Sequence, residues 1–406
     1  MAPAMKIAIL LAFAAFTTLT WELRRADACG GCFAPTDTVT TVESHRMVIS
    51  LSAEETILWD QIRYSGNPAD FVWVLPVPSP EVTIEIADPV FFDELDSQTA
   101  PRIQPASPLL PCSSGCGGGA AGDGDGSGDV DDPVMPEEDV TVYAEETIGP
   151  YETVVIGSEN ADALRLWLTE RGYRIAPETE PVLDYYIDNQ SVFVVLRLAP
   201  GEGINAMQPV RVRYPGYMAT FPLKMVTVGA SGLLGMSLWV IAEQRYEARN
   251  YATRAINPNE LVWDWAANRS NYTELFAQTI EDAAGRAWIV EHASPLNELW
   301  ITSPEQVVIA ERLPYPYITR LRTSMLVDHL SEDLELAPAY DWARVSSFLI
   351  AYGEVNRPGG DCDNFGTYDP EYGCSAGARV GQVAGPLLLV LVGLGWSRRR
   401  RGRRAA

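Results

Sequence analysis

The sequence predicts an α+β protein, with a body of mainly antiparallel β-sheet, two conspicuous helices and, after the body, a C-terminal transmembrane helix. Short runs of alternating apolar and polar residues, bounded by proline and glycine, recur along the chain and are typical of β-strands. Two segments combine helix start signals with an apolar face. One long apolar run lies near the end of the 406 residues.

Shifts in composition divide the chain into parts. In order, these are a signal peptide (1–28), a β-rich N-terminal part of the body (29–103), a flexible insertion rich in glycine and aspartate (104–139), an α+β main part of the body (140–355), a stalk (356–377), a transmembrane helix (378–397) and a basic cytoplasmic tail (398–406).

The N-terminus has the pattern of a secretory signal. Lys6 precedes a largely apolar stretch from Ile7 to Trp21, and Ala26-Asp27-Ala28 provides an A-x-A cleavage site. A lipoprotein signal cut before Cys29 is the alternative. Both interpretations predict an exported body.

The N-terminal part of the body is predicted to be mostly extended. Strands are expected at 45–51, 71–78 and 82–86, and residues 54–64 fit either a strand or a short helix. Asp88-Pro89 places an acidic N-cap before a proline at the first helical position, so a helix is expected to run through Leu95.

Residues 104–139 interrupt this pattern. Proline, serine and glycine dominate, and the main interpretation is a flexible acidic linker. The oxygen side chains of Asp123, Asp125 and Asp129 recur at intervals that can also wrap Ca²⁺. An EF-hand loop starting at Asp123 would, however, need glutamate where Val134 stands.

The main part of the body contains the two conspicuous helices. The first is expected at 161–171, capped by Ser158 and ended by Gly172, and the second at 271–284. Further strands are expected at 151–156, 192–198, 210–214, 223–228, 238–243, 287–292, 317–325 and 345–352, with a short helix at 305–311.

The apolar run near the C-terminus has the length of a membrane span. Eighteen residues separate Arg379 from Arg398, and as a helix they extend roughly 27 Å, close to the thickness of a bilayer's hydrocarbon core. The six arginines from Arg398 to Arg404 should stay on the cytoplasmic side. The alternative is a buried core helix followed by a basic tail.

Gly373-Cys374, the apolar helix and the arginine cluster occur in that order. This arrangement resembles the MYXO-CTERM sorting signal of myxobacterial surface proteins. The resemblance implies that a membrane protease processes the chain at Cys374, after which lipid attachment can follow. A sorting protease and the membrane are therefore expected partners.

The six cysteines of an exported chain favour disulfides. They fall into three local pairs, which are Cys29/Cys32, Cys112/Cys116 and Cys362/Cys374. If Cys374 is the processing residue, Cys362 is left without its local partner.

Cys29-Gly-Gly-Cys32 also has the spacing of a redox pair or of half a zinc site. A redox pair needs a following helix to lower the thiol pKa, and a β-rich run follows here instead. No second pair completes a zinc site. A small structural disulfide is the main interpretation, and a thiol-disulfide protein stays an alternative.

The charge excludes some classes of partner. The formal net charge is −24, and the body is more acidic still because the two ends of the chain carry an excess of basic residues. Such a surface repels nucleic acid and anionic lipid and attracts cations. Solubility is the simplest role for this charge.

The motifs of common enzymes are missing from the sequence. Its three histidines, His45, His292 and His329, are not at metal-ligand spacing, and there is no H-E-x-x-H, G-x-S-x-G or Walker motif. Trp263-Asp-Trp265 fits either core packing or a ligand platform. We expect no cofactor apart from Ca²⁺ at the aspartate loop.

The leading hypothesis is a non-enzymatic envelope or surface protein that binds or scaffolds something outside the cytoplasm. An envelope hydrolase built from scattered residues is the alternative from another class of protein.

Six segments of the body form a recognisable set, and they are Cys29-Gly-Gly-Cys-Phe33, Phe71-Val-Trp-Val-Leu-Pro-Val-Pro78, Ile148-Gly-Pro-Tyr-Glu152, Asp162–Tyr173, Asn271-Tyr-Thr273 and Leu321-Arg-Thr323. Together they resemble the bacterial exported family called domain of unknown function 2330. The resemblance covers roughly residues 29–350. It implies an exported setting and supplies no catalytic residues.

Overall fold

The structure is a computed structural model that describes residues 32–33, 41–65, 72–106, 140–158, 160–171, 180–228, 230 and 232–357. All described residues belong to one compact unit that ends at Arg357. No helix among the described residues is long and apolar enough to cross a bilayer.

The strands share the short lengths that the sequence pattern predicts. In chain order they are β1 (Cys32–Phe33), β2 (Thr41–Leu51), β3 (Glu55–Ser65), β4 (Val72–Val77), β5 (Thr83–Ile86), β6 (Arg102–Pro105), β7 (Thr141–Ile148), β8 (Tyr151–Gly157), β9 (Val192–Leu198), β10 (Val210–Pro215), β11 (Thr220–Phe221), β12 (Leu233–Ala242), β13 (Tyr246–Ala248), β14 (Ala252–Arg254), β15 (Val262–Asp264), β16 (Arg269–Ser270), β17 (Ala287–Pro295), β18 (Tyr317–Leu326), β19 (Leu334–Pro338), β20 (Phe348–Ala351) and β21 (Gly353–Val355).

Six α-helices connect the strands in the described part of the chain. They are α1 (Pro89–Thr99), α2 (Ala161–Glu170), α3 (Glu180–Asp188), α4 (Leu223–Val226), α5 (Tyr272–Glu281) and α6 (Glu305–Ala310).

Two sheets carry most of the fold. The larger has eight strands in the order β14-β17-β18-β12-β2-β3-β10-β5, and the smaller has five in the order β1-β4-β9-β8-β7. Neighbours in the five-stranded sheet are antiparallel, and in the eight-stranded sheet only the β12–β2 and β14–β17 pairs are parallel. Three small sheets of two or three strands complete the fold.

The two large sheets pack face to face. Alternate residues of each strand point to opposite faces of its sheet. Met47 and Ile49 of β2 share one apolar core with Trp73 and Leu75 of β4. The residues that alternate with these along β2 and β4 pack in two other apolar clusters, on the opposite faces of the sheets. Each large sheet therefore buries both of its faces.

Helices cover the outer faces. On the eight-stranded sheet, Phe91, Phe92 and Leu95 of α1 pack on the outward residues of the central strands. The helix α5 packs beside them on the same side through Phe276 and Ile280. The helices α2 and α3 cover the outer face of the five-stranded sheet. The fold is therefore a four-layer sandwich with helices outside and sheets inside.

The prediction of a mainly antiparallel α+β body is confirmed, and its helix content is higher than expected. The first of the two conspicuous helices is α2, where Asn160 caps the helix instead of Ser158 by accepting the N–H groups of Asp162 and Ala163. The second is α5, which ends at Glu281. The N-cap predicted at Asp88 is present on α1.

The strand predicted at 223–228 is wrong, because Leu223–Val226 form α4. Asp333 accepts the N–H of Lys224, and the Tyr186 hydroxyl accepts the N–H of Met225. These distant partners satisfy the first-turn N–H groups that a short apolar segment cannot cap by itself. The helix α3 was not predicted either.

Several predictions lie outside the described residues. These are the signal peptide, nearly all of the insertion and stalk, the transmembrane helix, the basic tail and the side chains of all six cysteines. The predicted insertion begins at residue 104, whereas β6 continues to Pro105 and pairs in parallel with β20.

Candidate functional site

A pocket lies between the two large sheets. It is lined by residues of both, namely Asp60, Trp73, Tyr151, Leu196, Met207, Gln208 and Val210. The pocket encloses about 290 Å³ of empty space, part of it open to solvent, and its interior has room for about one water-sized group. Any large substrate is therefore too big for it.

The acidic lining residue, Asp60, makes a buried contact with His45. The Asp60 carboxylate accepts a hydrogen bond from His45, with 2.7 Å between Oδ1 and Nε2. His45 is 1% exposed and Asp60 4%. The two residues are diagonal neighbours on β2 and β3, since Asp60 pairs with Met47 and His45 with Ile62. The register of this hairpin brings them together on the inner face.

Tyr151 forms a wall of the same pocket. Its hydroxyl donates to the carbonyl of Gln208 at 2.7 Å and accepts the N–H of the same residue at 2.9 Å. Burial raises the Tyr151 pKa to about 12, and the negative charge of Asp60 adds to the effect. Tyr151 is therefore a neutral, anchored side chain and does not act as a base.

The lining of this pocket combines an acidic side chain with aromatic and apolar ones. Asp60 is acidic, Trp73 and Tyr151 are aromatic, and no serine, cysteine or lysine stands among the lining residues. Aromatic rings beside a carboxylate are groups that attract cations.

A second buried histidine, His292, contacts the hydroxyl of Ser294 on β17. His292 Nε2 lies 2.9 Å from Ser294 Oγ at the end of β17, and both residues are buried. Burial, with the positive charge of Arg320, lowers the His292 pKa to about 4. His292 Nδ1 has no partner among the described residues, so the pair lacks the third group that orients a catalytic histidine.

Two buried glutamates organise the outer face of the eight-stranded sheet. Glu291 accepts from the hydroxyl of Tyr272 and from the guanidinium groups of Arg320 and Arg322. Glu305 accepts from the indole N–H of Trp59 and from Arg211. The protein's own side chains donate to both carboxylates, so we interpret both clusters as structural hydrogen-bond networks.

Four exposed aromatic side chains lie on three loops. We call Trp300, Tyr315, Tyr340 and Trp342 the aromatic rim, and they are 79%, 88%, 102% and 62% exposed. Aromatic side chains are enriched at protein interfaces relative to the rest of the surface.

Hydrogen bonds and ion pairs hold the loops of the aromatic rim to one another. The N–H of Leu296 donates to the carbonyl of Pro316, and Arg344 pairs with Glu298. Arg245 donates to the carboxylate of Asp341 at 3.0 Å and so holds the loop that carries Tyr340 and Trp342.

The two tryptophans of Trp263-Asp-Trp265 contact each other with an angle of 70° between the ring planes. Both are half-buried, and the guanidinium of Arg357 lies over the Trp265 ring. The two rings therefore do not form one flat surface, and a ligand platform at this pair stays a prediction.

The predicted site residues are only partly placed by the structure. Cys32 lies in β1, opposite Trp73 of the pocket, and its extended backbone does not provide the helix N-terminus that a redox pair needs. The remaining cysteines, Cys29, Cys112, Cys116, Cys362 and Cys374, and the calcium candidates Asp123, Asp125 and Asp129 lie outside the described residues. Within the described ranges, no three His, Cys, Asp or Glu side chains cluster as metal ligands.

Sequence reasoning missed the pocket, although one signal for it was present. His45 alternates in sequence with Met47, Ile49 and Leu51, which places a histidine on the apolar face of its strand. Such a residue must find a polar partner inside the protein. The sequence does not show that this partner is Asp60.

Comparison with known proteins identifies the family. The profile of domain of unknown function 2330, described as an uncharacterized protein conserved in bacteria, matches residues 24–337. The match covers well over half of the chain, so the protein belongs to this family.

No curated protein matches the chain, and no solved structure matches it. The functional argument therefore depends on the chemistry of its own residues.

Proposed function

We propose that this protein is an exported, membrane-anchored surface protein that binds a ligand outside the cytoplasm and is not an enzyme. The aromatic rim carries the proposal, because tryptophan and tyrosine supply large contact areas at little cost in conformational entropy. In solution these side chains expose apolar surface to water, and a bound partner would cover it.

The chemistry of the rim fits a neutral glycan. Aromatic rings stack on the apolar faces of sugar rings, and neighbouring polar groups can hydrogen-bond to the hydroxyls. The charges beside the rim are already paired within the protein, Arg245 with Asp341 and Arg344 with Glu298. An uncharged ligand leaves these pairs intact.

The overall charge supports the same ligand class. A net charge of −24 repels polyanions such as nucleic acid or acidic polysaccharide before they reach the rim. A neutral glycan meets no such repulsion.

The two ends of the chain supply the proposed location. The signal at residues 1–28 exports the body, and the apolar helix at 378–397 tethers it to the membrane. In this proposal a sorting protease acts at Cys374, and the local pairs Cys29/Cys32 and Cys112/Cys116 form structural disulfides. Calcium binding at Asp123, Asp125 and Asp129 is not required for the rim to act.

The experiment measures depletion of the exported protein by insoluble neutral polysaccharides, with cellulose, chitin and an α-glucan as probes. We expect the natural protein to bind at least one of them. The double variant Trp300→Ala, Trp342→Ala should lose most of that binding while keeping its melting temperature, because both side chains are exposed.

Tyr143→Ala is the matched control, since Tyr143 is a half-exposed aromatic side chain on β7 of the five-stranded sheet. It should bind as the natural protein does. Failure of the natural protein to bind any neutral polysaccharide would overturn the proposal, and so would equal binding by the double variant.

A further inference from the structure

We propose that the pocket between the two sheets is a second binding site, which takes a small organic ammonium ion through the carboxylate of Asp60. This site is separate from the aromatic rim, and the proposal does not depend on what the rim binds. It rests on three properties of the pocket, which are its charge, its aromatic walls and its size.

The charge of Asp60 is only partly compensated inside the protein. Oδ1 contacts His45 Nε2, and the carboxylate forms part of the lining of the pocket. The packed neighbours Met47, Leu58 and Val210 are apolar. A carboxylate that is 4% exposed in such surroundings is costly unless a cation or hydrogen-bond donor approaches it.

His45 is the hydrogen-bond partner of this carboxylate among the described residues. Its Nε2 lies 2.7 Å from Asp60 Oδ1, while its Nδ1 is buried with no partner among the described residues. Asp60 Oδ2 makes no hydrogen bond within the described part of the chain, and a cation in the pocket would supply a partner for it.

The walls of the pocket suit an organic cation. Trp73 and Tyr151 are aromatic, and aromatic rings attract ammonium groups while also contacting their methyl or methylene groups. Leu196 and Met207 add apolar surface. Ca²⁺, by contrast, needs about six to eight oxygen ligands, far more than one carboxylate can offer.

The size of the pocket limits the ligand to a small head group. Its interior has room for about one water-sized group, and the rest of its empty space opens towards solvent. The ammonium head can enter, and its methyl group or a longer substituent would extend into the opening. The acidic surface of the protein concentrates cations near that opening.

The test titrates the exported protein with methylammonium chloride, following heat by calorimetry, and tetramethylammonium chloride, which is too large for the interior, is the size control. Sodium chloride at equal ionic strength is the reference, because it reproduces screening of the acidic surface and has no methyl group to contact the aromatic walls. We expect saturable binding of methylammonium and none of tetramethylammonium. We expect Asp60→Asn to weaken methylammonium binding about tenfold or more.

Asp188→Asn is the matched control, because it removes one negative charge from an exposed position on α3 and should leave binding unchanged. If Asp60→Asn does not fold, Met207→Trp keeps the buried pair and fills the pocket, and it should abolish binding. The proposal is overturned if sodium gives the same heat as methylammonium. It is also overturned if the Met207 variant binds as tightly as the natural protein.

Discussion

Tyr186 shows how a single buried hydroxyl joins distant parts of the chain. It donates to the carboxylate of Asp333 at 2.6 Å and accepts the N–H of Met225 at 3.2 Å. Burial raises the Tyr186 pKa above its usual value, with the charge of Asp333 adding to the effect. The hydroxyl therefore stays protonated and holds α3, α4 and the start of β19 together.

Tyr186→Phe tests this contact. We expect a loss of about 1–3 kcal/mol in the free energy of unfolding, because Asp333 and the N–H of Met225 each lose a buried partner. Chemical denaturation measures the loss. Tyr185→Phe is the control, since the ring that lies 3.7 Å from the Lys224 ammonium is kept, and it should cost little. Equal stability of the two variants would contradict this role for Tyr186.

His292 gives the protein a pH-dependent stability. Because burial lowers its pKa to about 4, the unfolded chain binds a proton at this residue at a higher pH than the folded protein does. The contribution is therefore complete above about pH 6.5 and is lost as the pH falls towards 4. Arg320 nearby opposes protonation and Glu298 favours it.

We expect the free energy of unfolding to fall by about 3 kcal/mol between pH 7 and pH 4 on account of this residue alone. Denaturation curves of the natural protein and of His292→Gln, measured across that range, isolate the effect as the difference between their slopes. Parallel pH profiles of the two proteins would show that His292 does not titrate as described.

At the scale of elements, the carboxylate of Glu305 bonds the short helix α6 to its neighbours. Glu305 stands at the first position of this short helix and accepts from Trp59 Nε1 at 2.7 Å and from the N–H of Asp88 at 3.1 Å. It also pairs with Arg211 of β10. A helix of this length has little stability of its own, so these tertiary contacts hold it in place.

Glu305→Ala should therefore destabilise the protein by about 3–5 kcal/mol, because it leaves a buried indole N–H and part of the Arg211 charge without an acceptor. Glu311→Ala, at the exposed end of the same helix, should change stability by less than about 0.5 kcal/mol. Thermal unfolding distinguishes the two. Arg211 also pairs with Glu85 at 2.9 Å, and a small effect at Glu305 would mean that Glu85 by itself satisfies the guanidinium.

Elements also show where local sequence is a sufficient guide. The helix α1 was predicted from Asp88-Pro89, because an N-cap and a first-turn proline act within a few residues. The helix α4 was predicted as a strand, because its N–H groups are satisfied by residues about forty and one hundred positions away. Sequence pattern records the first kind of interaction and not the second.

At the scale of the whole molecule, the sandwich buries both faces of both large sheets. The alternation in β2 predicted that one face is apolar, and only the packing of sheet on sheet decided what covers it. The pocket exists at this junction, where Asp60 from one sheet meets Trp73 and Tyr151 from the other.

The proposed anchoring makes a prediction about the intact chain. Protein extracted from the native membrane should have a mass that ends near Cys374, with or without a lipid, and Cys374→Ser should keep the full C-terminus. Cys362→Ser is the control and should be processed normally. A full C-terminus on the natural protein would remove the sorting-signal interpretation and leave a simple membrane-spanning tail.

The sequence by itself determined the family, the α+β class and the positions of most strands, because these depend on local patterns of polarity and on motifs within short segments. It also carried the prediction of an exported and anchored chain. Only the tertiary structure decided the partner of His45, the pocket, the buried glutamate networks and the aromatic rim. Each of these joins residues that are far apart in sequence, and no local pattern records which of many acidic or aromatic residues will meet.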